Sequence, residues 1–139
     1  MRRVITYGYF DLLHYGHINL LSKAKEQGDY LIVALATDDF VEPDKNLVCY
    51  FSYDERKHLL EAIRYVDLVI PQASPNQKVH DVQLYQVDVM VMGGDNEGRY
   101  DFMREYCEVI YVPRTAMVST AQIKIDFKNK GSVMDRNKP

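Results

Sequence analysis

The strongest constraint on the fold of this chain is a regular alternation of short apolar runs with amphipathic stretches. "RVITYGYF" is β-branched and aromatic and predicts a strand over about Val4–Tyr7. "HINLLSKAKEQG" sets Ile18, Leu21 and Ala24 at helical spacing, with Gly28 as its stop. "DYLIVALA" is almost continuously apolar, as a strand buried on both faces must be. A loop follows, "TDDFVEPDKNLVCYF". In "SYDERKHLLEAIRY", Ser52 and Glu55 have capping-box spacing and Leu59, Leu60 and Ile63 form the apolar stripe. "DLVIP" predicts a short strand stopped by Pro71, and "NQKVHDVQLYQ" a helix. "VDVMVMGG" is another buried strand, "NEGRYD" a turn and "DFMREY" a short helix. "CEVIYVP" reads as a strand ending at Pro113, and "STAQIKIDFKNKG" as a last helix with Ser119 as N-cap and Gly131 near its end.

The order β-α-β-loop-α-β-α-β-α-β-α describes an α/β fold: a Rossmann-like three-layer sandwich around an open parallel five-stranded sheet. Its 139 residues suit one compact domain, expected over 1–131, with 132–139 as a polar tail. A formal net charge of −3 gives no global sign of a nucleic-acid or membrane partner, so any anion site must be local. "MRRVITYGYF" has too short an apolar run for a signal peptide or a membrane span. Cys49 and Cys107 have neither metal-ligand spacing nor disulfide density, and read as reduced thiols of a cytoplasmic protein.

In open parallel sheets the ligand sits beyond the carboxyl ends of the strands. That selects Gly8–His17, Thr37–Phe51, Gly93–Tyr100 and Pro113–Thr120, all rich in Gly, Asp, His, Arg, Ser or Thr. The first is the most informative. Gly8 permits close approach to the strand end. His14 and His17 are three apart where the chain turns into its first helix, with Gly16 between them. A helix N-terminus suits phosphate, and two imidazoles beside it add donors for the charge of a transition state. Two histidines alone are too few for a zinc site. Neither a Gly-x-Ser-x-Gly elbow, a Walker-A lysine motif nor a G-x-G-x-x-G is present. At the other end of the chain, "RTAMVSTAQIK" sets Arg114 and Thr115 after a strand and Ser119 and Thr120 at a helix start. Ser119 is there either a simple cap or part of a second anion cradle. Two helix N-termini facing one crevice are suited to a nucleoside triphosphate.

"YGYFDLLHYGH" together with "RTAMVSTAQIK" resembles the HxGH nucleotidylyltransferases, and more closely the small bacterial cytidylyltransferases. The likeness extends through "GDYLIVALATDDF", "SYDERK", "IRYVDLVIP", "EGRYDF" and "CEVIYVPRT". It implies transfer of CMP from CTP to a small phosphorylated acceptor, glycerol 3-phosphate first among them, for teichoic acid or surface polysaccharide synthesis. It implies Mg²⁺ accompanying CTP, and a homodimer. By that resemblance His14 and His17 contact the triphosphate, Asp11 orients their segment and Arg114 is a further catalytic group. Tyr9, Phe10, Gly16, Asp38, Arg64, Asp95, Thr115, Ser119 and Thr120 would lie against nucleotide. Lys45, Arg56 and Lys78 would serve the acceptor. Asp67 matches another charged position. For Arg56 and Arg64 the alternative is a solvated charged face, and for Asp38 and Asp95 ordinary strand-end turns. Tyr9 stands where the family has Thr, Leu47 where it has a lysine, Asn96 where it has an aromatic, Met117 where it has a glycine and Ala121 where it has a hydroxyl. The alternatives are the same reaction on another acceptor, an adenylyltransferase, or a catalytically weak nucleotide-binding module.

Overall fold

The strand nearest the N-terminus lies at the middle of the sheet. A computed structural model describes residues 1–40, 48–113, 125 and 128. Within them β1 (Arg3–Gly8) is flanked by β2 (Tyr30–Ala36) and β4 (Val89–Gly93); β3 (Leu68–Gln72) and β5 (Glu108–Val112) are the edges, in the order β3-β2-β1-β4-β5. All pairings are parallel. Residues 31–36 are fully or almost fully buried, which explains why β2 is apolar at every position.

Alternate residues of each strand feed two cores. Val4, Leu31, Val33 and Val89 pack with Leu21 and Ala24 of α1 (Tyr15–Glu26) and Leu60 of α2 (Tyr53–Glu61). Ile5, Tyr7, Ile32, Ala34 and Met90 pack with Val82 of α3 (Lys78–Leu84) and Met103 of a 3₁₀ turn at Asp101–Glu105. The three-layer sandwich follows directly.

The helix boundaries have local causes. At α2, Ser52 Oγ accepts from Glu55 N at 3.2 Å and Glu55 Oε1 from Ser52 N at 3.0 Å, the capping box expected from the sequence. Helix α1 stops where the sequence expects it, with Gln27 as C-cap and Gly28 next, and an added Cβ on Gly28 would stand 2.6 Å from Arg2 O, so close packing against the start of β1 also requires the glycine. Pro71 does not end β3, which runs on to Gln72; an edge strand tolerates the missing N–H. "DFMREY" forms the short helix expected, of 3₁₀ type, over Asp101–Glu105.

The ladder between β1 and β4 is short. Val4 pairs with Val89 and Ile5 with Met90, whereas β1–β2 pairing continues to Gly8↔Leu35 and β4–β5 to Gly93↔Val112. The sheet reverses its winding direction here, between β1 and β4, and a crevice opens at the carboxyl ends. Among the described residues no helix is long and apolar enough to cross a membrane.

Candidate functional site

The crevice is lined by Tyr7, Gly8, Tyr9 and Phe10 from the end of β1, by His14, Gly16, His17 and Leu20 from α1, and by Gly93, Asp95, Asn96, Val112 and Pro113 from the ends of β4 and β5. Two of the four segments selected by the strand-end rule contribute most of it.

The histidines build their own helix cap. His14 is the N-cap of α1, in extended conformation, and its Nδ1 accepts from Gly16 N at 3.0 Å. His17 Nδ1 accepts in turn from His14 N at 3.3 Å. The rings stack at 3.9 Å, and the Phe10 ring lies 5.4 Å from His17. A neutral imidazole that accepts at Nδ1 must carry its proton at Nε2. Burial, reinforced by the neighbouring His14, lowers the His17 pKa to about 3, against a smaller opposing pull from Asp11. His17 is therefore neutral at pH 7. Gly16, expected against nucleotide, lines the crevice, and its amide donates to His14.

Two left-handed residues, Phe10 (φ 47°) and Leu12 (φ 49°), flank Asp11. Such a conformation costs about 1–2 kcal/mol at each non-glycine position, so the surroundings must impose it. Asp11 is buried, and its carboxylate accepts from Tyr50 N at 2.6 Å and Phe51 N at 3.1 Å. It anchors the loop to the segment before α2, and reaches the histidines through that loop. At the loop's entrance, Gly8 leaves room for the Phe10 ring, which an added Cβ would meet at 2.9 Å.

Arg56 does not face an acceptor. It is 0% exposed, its Nη1 donates to Tyr9 O and Ala36 O, its Nε to Phe51 O, and its Nη2 to Asp38 at 3.0 Å. Asp38 also accepts from Tyr53 N, so it caps α2 and pairs with Arg56 rather than lining the crevice. Arg64 is exposed and stacks on Tyr65, 5.2 Å from its ring centre. It follows α2, at the end of the sheet where β3 begins, opposite the crevice. Asp67 sits at that same end, accepting from Leu31 N and Lys25 Nζ. Charge spacing along a helix cannot distinguish these places, because one helix runs from the site end of the sheet to the far end.

Lys78 is buried at the start of α3, with Nζ 4.7 Å from the Tyr7 ring centre and 5.1 Å from that of Tyr100. Tyr7 Oη donates to Asp81 at 2.8 Å, and burial followed by the Asp81 charge pushes the phenol pKa far above its usual value. Asp95 and Asn96 line the crevice from the 3₁₀ turn that follows β4. Lys45, Leu47, Arg114, Thr115, Met117, Ser119, Thr120, Ala121 and the 132–139 tail lie outside the described residues.

Sequence reasoning missed Leu20, one turn beyond His17 on the crevice side, which helical spacing would have found. It also missed the reciprocal histidine cap, although His14 and His17 have the same spacing as Ser52 and Glu55.

The model of the cytidylyltransferase-like family matches residues 5–131. A glycerol-3-phosphate cytidylyltransferase of Staphylococcus aureus (strain NCTC 8325 / PS 47) is 56% identical over 94% of this chain and 98% of its own. The enzyme of that name from Bacillus subtilis (strain 168) is 54% identical over 89% and 95%. Among solved structures, a lipopolysaccharide core biosynthesis protein from Thermoplasma volcanium GSS1 superposes with TM-score 0.72 at 24% identity, over 83% of this chain and 98% of that one, a likeness of fold.

Proposed function

Because the chain belongs to the cytidylyltransferase-like family, we propose that it transfers CMP from CTP to glycerol 3-phosphate. The structural observation that carries the chemistry is the pair of interlocked imidazoles with their protons on Nε2, at a helix start beside the crevice. The acceptor rests on relatives more than half identical to the chain.

A phosphate oxygen of the acceptor attacks the α-phosphorus of CTP, the new P–O bond forms as the bond to pyrophosphate breaks, and a CDP-linked product leaves. The charge of the five-coordinate state falls on non-bridging oxygens, to which His14 and His17 donate from Nε2. His17 acts as a fixed donor and not as a proton carrier, since a ring titrating near 3 takes up no proton at pH 7. Asp95 and Asn96 face the nucleotide from the turn after β4, and Lys78 serves the acceptor side. Arg114, Thr115, Ser119 and Thr120 hold the nucleotide, and Lys45 the acceptor, by the family pattern. Asp95 is the carboxylate among the described lining residues, and these residues hold no group of three or more metal-ligand side chains. One carboxylate fits Mg²⁺ carried in on the triphosphate, where the ion would neutralise the phosphates and the departing pyrophosphate. A cytoplasmic homodimer supplying surface-polymer synthesis completes the proposal.

Pyrophosphate release is the test, measured with each nucleoside triphosphate against glycerol 3-phosphate and other small phosphate esters. Release with CTP and glycerol 3-phosphate is expected. Release with ATP but not CTP refutes the nucleotide; CTP binding without release for any acceptor leaves a binding module.

A further inference from the structure

We propose that Arg56 is a positioning residue, which sets the strained β1–α1 loop and through it the hydrogen-bonded form of the two histidines. The inference rests on the reaction proposed above but concerns a side chain that touches neither substrate. Three observations carry it. The guanidinium is wholly enclosed, and its donors reach the carbonyls that end β1, end β2 and precede α2, together with Asp38. The carbonyl it holds in the first loop belongs to Tyr9, next to left-handed Phe10. Phe51 is gripped from both sides, its carbonyl by Arg56 and its amide by Asp11. Arg56 and Asp11 therefore clasp the same two segments together, one at each end of Phe10.

Loosening that clasp lets Phe10 and Leu12 relax toward ordinary backbone conformations. The Phe10 ring then leaves its place against His17, and His14 N moves away from His17 Nδ1. That bond is already long at 3.3 Å, so a small displacement breaks it. Once it is broken, His17 is no longer committed to the tautomer with its proton on Nε2. Lysine cannot substitute, because one ammonium cannot span three carbonyls in a planar fork.

The experiment is Arg56→Lys, read by steady-state kinetics and by histidine ¹⁵N chemical shifts. A fall in kcat of about 100-fold is expected, with KM for CTP and for glycerol 3-phosphate within about threefold of wild type. The shifts should report Nε2–H rings in wild type and mixed tautomers in the variant. In a His17→Ala background, Arg56→Lys should lower kcat by less than about threefold more, since little is left to position. Asp38→Asn keeps the carbonyl bonds and should give a smaller loss, about tenfold, of the same kind; should Arg56→Lys not fold, this variant carries the same readouts. Unchanged kcat in a folded variant overturns the proposal. So does a rise in KM alone, which would place the guanidinium on substrate, or wild-type tautomers with losses that multiply fully. If wild type itself does not turn over CTP with glycerol 3-phosphate, the proposed reaction fails, while the tautomer readout still decides the role of Arg56.

Discussion

Replacing His17 with alanine should change stability in a pH-dependent way and activity in a pH-independent one. In the folded chain the ring titrates near 3; once unfolded it titrates at about 6.5. Between those values the unfolded state binds more protons than the folded state, so the imidazole makes stability fall as the pH drops. At pH 5 this amounts to about 2 kcal/mol relative to pH 7.5. The variant also loses half of the reciprocal cap, about 1 kcal/mol, and the ring contact with Phe10, about 1 kcal/mol more. At pH 7.5 it should therefore be about 2 kcal/mol less stable than wild type, a Tm lower by about 8 °C. At pH 5 wild type has lost about the same amount by titration, and the two melting curves should nearly coincide. Circular dichroism melts across the pH range measure this directly. A Tm gap constant from pH 7.5 to pH 5 would show that His17 is not held neutral by burial. Activity should not recover with it: one lost donor to the transition state lowers kcat by about 10²–10³-fold at every pH.

Three further outcomes test the framework around the site. Gly94→Ala places a Cβ 2.9 Å from Val112 O and 3.3 Å from Pro113 Cα, both backbone atoms, so a loss of about 1–3 kcal/mol is expected in denaturant titration. Tyr7→Phe removes the buried hydrogen bond to Asp81 and should cost about 1–2 kcal/mol by the same assay, while in wild type this phenol should stay protonated in an alkaline absorbance titration to pH 11. Lys78→Met keeps the stem and removes the charge; KM for glycerol 3-phosphate should rise about tenfold or more, with KM for CTP much less affected.

The strands were legible because burial on both faces forces apolar runs, and the helices because one face packs. Pro71 misled because the rule that proline ends a strand holds for interior strands, and the sequence does not say that β3 is an edge. In the site, His14 and His17 stood out through spacing after a glycine. Arg56 did not, because a charged residue on a polar helix face looks solvated until the three carbonyls it holds are brought together from distant segments. The places of Asp38 and Asp67 were hidden for the same reason: besides Arg56 and Lys25, they hold the backbone amides of Tyr53 and Leu31, which no side-chain pattern records.

The short seam between β1 and β4 has a thermodynamic consequence. Registered pairing stops at Ile5 and Met90, although both strands run on to glycines that line the crevice. A nucleotide lying across that gap would contact the β1–β2–β3 plate on one side and the β4–β5 plate on the other. It would serve as the rung that the ladder lacks. Ligand affinity and the cohesion of the sheet then become one linked quantity, with the bound state the most tightly joined form of the protein.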